Sequence, residues 1–151
     1  MGWVGGNMRT FVWSRQLVIG HERIDSDHKT LIDLIGDVEE MLESAGPISP
    51  AYGQSYDRFL HFLVAHCAYE EDLMHQLPPL YQTRVEDHCH HHGILISQAR
   101  AVAELLVPGR PCSEVLGTFQ RAIIAMTRDL IMDDVELVGI LLLENRSLQP
   151  L

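Results

Sequence analysis

Residues 59–74 read FLHFLVAHCAYEEDLM, and the spacing of their apolar side chains decides the fold. Phe59, Phe62, Leu63 and Leu73 fall on one stripe of a helix that turns about 100° per residue. His66 and Glu70, four residues apart, continue the same stripe, so an imidazole and a carboxylate face the core. A buried ionised carboxylate is very costly unless it is paired or coordinated. The HxxxE pair therefore needs partners from other helices, and the rest of the chain has to supply them.

Working outward, Gly46-Pro47 with Pro50, Pro78-Pro79, and Pro108-Gly109 with Pro111 punctuate the chain. Proline removes a backbone donor and disfavours helix at the residue before it, so each cluster ends a helix. Four helical segments result. The first runs from about 26 to 44, with Leu31, Ile32, Ile35, Val38 and Leu42 on one stripe. The second runs from about 51 to 76. The third runs from about 80 to 107, with Val85, Leu95, Ile96, Ala99 and Val102. The fourth runs from about 113 to 144, with Leu116, Phe119, Ile123, Met126, Leu130, Leu137 and Leu141. Asp25 or Ser26 is suited to cap the first helix and Ser113 the fourth. Four amphipathic helices with short loops predict an all-α, up-down-up-down four-helix bundle over residues 25–151. Residues 1–24, with Trp3, Phe11, Trp13 and Ile19 among several glycines, predict an ordered arm packed on that bundle.

Composition narrows the function. The net charge of −10 argues against nucleic acid, whose binding requires clustered Lys and Arg, and against an anionic membrane surface. No apolar run approaches the length of a membrane span. Cys67, Cys89 and Cys112 are an odd count without a CxxC, which suits reduced thiols. Met1–Thr10 has no basic segment followed by an apolar run. Both features predict a cytoplasmic protein.

The other helices each send a polar side chain inward. His88 and His92 form HxxxH in line with Val85, Leu95 and Ala99. His28 lies one turn before Leu31 and Ile32, and Asp134 lies between Leu130 and Leu137. Such a set, with almost no Lys or Arg on the same faces, leaves a metal as the natural partner. Imidazole and carboxylate without thiolate favour iron, zinc or manganese, and two carboxylates able to bridge favour a dinuclear site. The remaining histidines read differently. His61, His75 and His90 point away from the ligand faces, His91 is at an edge, and His21 is in the arm. Cys67 and Cys89 read as small packing residues.

With these residues in place, the chain resembles the hemerythrin family, especially bacterial hemerythrin-like domains, from Trp13 to about Leu137. Trp13, Gly20 and Ile24-Asp25-x-x-His28 resemble the family's opening motif. His66-x-x-x-Glu70-Glu71 with Leu73-Met74 resembles its HxxxEE-x-LM, His88-x-x-x-His92 its HxxxH, and Asp134-x-x-Leu137 its closing DxxL. The resemblance implies two non-haem iron ions in an Fe–O–Fe type centre. It implies His28 and His66 on one iron, His88 and His92 on the other, and Glu70 and Asp134 as bridges. It also implies dioxygen, or a small ligand such as nitric oxide or peroxide, as the partner.

One position departs from the family. Its fifth histidine, five residues before the closing aspartate, is Asp129 here. The position faces inward, so Asp129 is expected at or near the metal; the opposing reading is a surface pair with Arg128 or Arg121. His91 is the rival for the same coordination position. A third carboxylate would stabilise ferric over ferrous iron and favour autoxidation, peroxide chemistry or sensing over reversible oxygen carriage. Three readings follow: a module that binds or senses oxygen; a di-iron enzyme with peroxidase, oxidase or nitric-oxide-related activity; and a zinc or metal-free structural bundle. A ferritin-like enzyme would need Glu-x-x-His pairs on two helices, and the sequence has none at matching positions.

Overall fold

The computed structural model describes residues 9–44 and 46–147. Its helices are α1 (Glu22–Glu43), α2 (Ala51–Met74), α3 (Gln82–Leu105), α4 (Cys112–Arg128) and α5 (Asp134–Ser147). A π-helical turn, Asp129–Asp133, joins α4 to α5 without a break, so the two form one rod. α1 packs on α2, α2 on α3, α3 on α4 and α4 on α1. Sequential helices are thus neighbours around one core, giving an all-α four-helix bundle, and the described residues contain no strand. No described helix is long and apolar enough to cross a membrane.

The helix ends differ from expectation for local reasons. α1 starts at Glu22, four residues early. Gly20, at φ 99°, turns the chain, and His21 rather than Asp25 or Ser26 is the cap, its Nδ1 accepting from the Ile24 amide at 3.3 Å. The Asp25 carboxylate reaches back instead, accepting from the amides of Ile19 (2.8 Å) and Gly20 (3.1 Å). α3 is preceded by a 3₁₀ turn at Pro79–Tyr81. α4 begins at Cys112 behind Pro111, and Ser113 is not its cap.

The arm is anchored to α1. The Thr10 amide donates to Glu39 Oε2 at 2.8 Å, and Arg9 lies within 4 Å of Asp37 and Glu40. Phe11 and Trp13 are half-buried, and Ile19 packs at the bundle's end. Trp3 falls outside the described residues. At the opposite end, the loop between α1 and α2 is tied to the loop between α3 and α4. Ile48 donates to Arg110 O (2.7 Å) and Cys112 to Gly46 O (3.1 Å).

The core has two apolar layers. The larger holds Leu31, Leu63, Leu95 and Met126, with Tyr56, Phe59 and Phe119 packed edge to face nearer the tied loops. The smaller holds Ile24, Met74, Val85, Leu137 and Val138. On every helix the inward polar residues lie in sequence between these two sets: His28 between Ile24 and Leu31, His66 and Glu70 between Leu63 and Met74, His88 and His92 between Val85 and Leu95. The bundle therefore encloses one polar layer between two apolar ones.

Replacing Phe119 by Ala removes a ring from the larger layer and leaves a cavity beside Tyr56 and Phe59. Urea unfolding is expected to show a loss of about 3–5 kcal/mol. A loss below about 1 kcal/mol would contradict this packing.

Candidate metal centre

The polar layer contains all seven residues singled out from the sequence, and each is buried: His28, His66, Glu70, His88, His92, Asp129 and Asp134. Glu70, His92 and Asp134 have no exposed surface. The residues form two donor groups, either of which could hold a metal ion. One is His28, His66, Glu70 and Asp134; the other is Glu70, His88, His92, Asp129 and Asp134. Glu70 and Asp134 belong to both.

The oxygen atoms of the shared carboxylates are divided between the groups. Asp134 Oδ2 faces His28 Nε2 at 2.9 Å and His66 Nε2 at 4.0 Å, while its Oδ1 faces His88 Nε2 at 3.1 Å. Glu70 Oε1 faces His66 Nε2 at 3.4 Å, while its Oε2 faces His92 Nε2 at 3.2 Å and His88 Nε2 at 3.7 Å. Asp129 adds Oδ1 at 3.5 Å from His88 Nε2 and Oδ2 at 3.8 Å from His92 Nε2. All four imidazoles thus direct Nε2 inward. Donors bound to one ion by bonds of about 2.1 Å sit roughly 3.0–3.4 Å apart in octahedral or tetrahedral arrangements, which is the spacing of the closest pairs.

Seven buried atoms of the cluster have no hydrogen-bond partner: the Nε2 atoms of His66, His88 and His92, both Glu70 oxygens, Asp129 Oδ1 and Asp134 Oδ1. Buried polar atoms are almost always satisfied, and an unpartnered set converging on one point fits a cation. The outer nitrogens of two rings are held by acids the sequence reading missed. His66 Nδ1 lies 3.3 Å from Asp27 Oδ2, and His92 Nδ1 lies 3.0 Å from Glu71 Oε1. Carboxylates in this position fix the ring orientation and raise the basicity of the inner nitrogen. Asp27 is itself bridged by Arg23 Nε at 3.1 Å.

The π-helical turn explains how Asp129 and Asp134 both reach the cluster. Five residues on an α-helix rotate through about 500°, leaving two side chains about 140° apart. Here the Asp134 amide donates to the Asp129 carbonyl, an i→i+5 bond that widens the turn and brings both carboxylates to one side. Turns of this kind are frequent at functional sites. His91, the rival for the Asp129 position, instead turns its Nδ1 to Asp133 Oδ2 at 2.9 Å. Asp129 makes no surface pair with Arg121 or Arg128. His61, His75 and His90 are exposed, Cys67 is buried in the larger apolar layer and Cys89 is half-buried beside the smaller.

The charges in this layer compete. Burial, reinforced by the neighbouring Asp134 and Asp129, pushes the Glu70 carboxyl up to about 11. Burial likewise raises Asp129. For Asp134, burial is outweighed by its hydrogen bond to His28 and by the nearby His88 and His66 rings, which hold it below the usual carboxylate range. Burial lowers His88, but Asp129 and Asp134 more than compensate and lift it to about 9. Burial takes His66 down to about 4. The Cys67 thiol is raised by burial and by the adjacent carboxylates, so a thiolate ligand is disfavoured beside this cluster.

Comparison with protein-family models, with curated proteins and with solved structures gave no match.

At neutral pH the metal-free cluster carries protons on Glu70 and His88, and both must leave for those donors to coordinate. Metal uptake is therefore expected to release roughly two protons, and the apparent affinity to rise about ten- to a hundredfold per pH unit from about pH 6 to pH 8. Competition against a chelator of known pH dependence measures this. A pH-independent affinity would place the metal elsewhere.

Proposed function

We propose that the chain is a non-haem di-iron protein resembling bacterial hemerythrin, which binds or senses dioxygen or a related small ligand such as nitric oxide or peroxide. The sharing of Glu70 and Asp134 between two donor groups carries this reading. Each carboxylate offers one oxygen to either side, as a bridge between two cations requires. His28 and His66 would hold one iron, and His88, His92 and Asp129 the other. Bound there, the iron pair supplies redox electrons and open coordination positions for a small ligand.

The surroundings of the centre suit a small apolar ligand. A cavity of about 10 Å³, close to the least volume that admits one water, lies against His66 and Asp129. Leu31, Leu63, Leu95 and Met126 form much of the rest of its wall. On this side of the centre these side chains keep bulk water from the donors. The three cysteines are unpaired, in keeping with a reducing compartment such as the cytoplasm.

Asp129 favours a second reading. Its carboxylate adds a negative charge where the family has a neutral imidazole, which stabilises the oxidised centre and supports a di-iron enzyme with peroxidase, oxidase or nitric-oxide-related activity. Catalytic turnover of peroxide would select that reading; a reversible oxygen-dependent absorption band would select the binding module.

Protein from iron-supplemented cells is expected to hold about two irons per chain and to absorb in the visible. Glu70→Ala should lose both ions, because Glu70 offsets charge on each, whereas His28→Ala should retain one. One zinc per chain, or unchanged occupancy in Glu70→Ala, would overturn the proposal.

A further inference from the structure

Two larger cavities reach the polar layer, and they differ in charge. The first, about 460 Å³, touches His88 and is rimmed by Asp87, Asp133 and Glu136, with Arg84 already paired to Glu136. The second, about 370 Å³, lies between α3 and α4 and reaches Asp129. The His91–Asp133 hydrogen bond borders both and separates them.

We propose that the second cavity binds a small amphipathic carboxylate, its apolar body against Ile94, Leu95 and Ile124 and its anionic head at Arg121 and Arg128. The volume falls within the range of small-molecule sites, which combine apolar walls with a few placed polar groups. Arg121 and Arg128 are seven residues apart on α4, two turns along one face, and Ile124 lies between them. Both are exposed at the rim. Among the described residues neither is in an ion pair, and Arg121 donates a hydrogen bond to Thr118 Oγ1 at 3.1 Å. Arg9, Arg23 and Arg84 each meet a carboxylate; other arginines also lack one, but of the described arginines Arg121 and Arg128 alone line this cavity. Asp129 and Asp133 also line this cavity, but each is turned to imidazole, Asp129 to His88 and His92 and Asp133 to His91, so the charges left without a partner at the rim are the two guanidinium groups.

The chemistry of the walls sets the orientation. Guanidinium binds carboxylate through paired N–H donors, which places the head at the rim. Leu95 and Asp129 are both buried and lie at the inner end. The Asp129 charge is directed to His88 and His92, so the inner end receives the apolar part of the ligand and not its head. A polyphosphate would need more cations than the rim offers, and at the mouth an organic cation would meet two guanidinium groups while Asp129 and Asp133 are turned to imidazoles. The cavity and its arginines do not depend on a metal, so this binding stands apart from the di-iron reading; only a spectral response rests on that reading.

Isothermal titration with octanoate, on metal-free and on iron-loaded protein, tests the proposal. One octanoate per chain is expected in both forms. Octylamine should not bind, and sulfate should compete weakly. Because Arg121 and Arg128 are exposed, the double variant Arg121→Ala/Arg128→Ala should fold normally and bind octanoate at least about tenfold more weakly. Ala125→Phe, which fills the cavity from α4, should abolish binding while leaving metal content unchanged. Absence of saturable octanoate binding, equal affinity in the arginine variant, or equal binding of octylamine would overturn it. A failure of the di-iron reading would show instead in the metal analysis and leave the isotherm of the metal-free protein intact.

Discussion

Glu70 and Asp134 have no exposed surface, and carboxylates gathered out of water repel one another unless protons or cations lie between them. Most of the arrangement around them can be understood as an answer to that repulsion. Four imidazoles aim Nε2 at the shared carboxylates, one helix contributing two rings and two others one each. A proton on Glu70 and one on His88 relieve the charge when no metal is present. The same donors, deprotonated, make a pair of adjoining groups suited to cations. Proton and metal thus compete for one set of atoms, which couples metal affinity to pH.

The fold keeps this layer in register from both sides. The loops tied through Ile48, Arg110, Gly46 and Cys112 fix one end of the bundle, and the aromatic packing of Tyr56, Phe59 and Phe119 fills the layer beneath. Tyr56 also donates to the Ala99 carbonyl at 2.7 Å, locking α2 to α3. At the other end, Asp25 holds the arm through the amides of Ile19 and Gly20, while Glu39 anchors the start of the arm further along α1. Rigid apolar layers on both sides allow carboxylates and rings to be held to a few tenths of an ångström, as a preorganised site requires.

Much of this was legible in the sequence, because inward placement follows directly from helical periodicity. His66 and Glu70 share a stripe with Leu63 and Leu73, and His88 and His92 share one with Val85 and Leu95, so their burial needed no tertiary information. Asp27 and Glu71 were not legible in the same way. Each lies one residue from a donor, about 100° around its own helix, and meets a ring only through a neighbouring helix. Asp27 moreover forms an i,i+4 pair with Arg23, which in sequence reads as a surface contact. The π-helical turn left a subtler trace: two inward acids five residues apart, Asp129 and Asp134, are incompatible with a regular α-helix. The start of α1 is not legible, because Asp25 has the chemistry of a cap yet spends its carboxylate on Ile19 and Gly20.

The central claim is that Glu70 and Asp134 lie between two metal ions. Anomalous diffraction at the iron edge from crystals of the iron-loaded protein tests it most directly. Two peaks roughly 3.5–4 Å apart, one beside His28 and His66 and the other beside His88, His92 and Asp129, are the predicted result. A single peak, or peaks outside the polar layer, would contradict it.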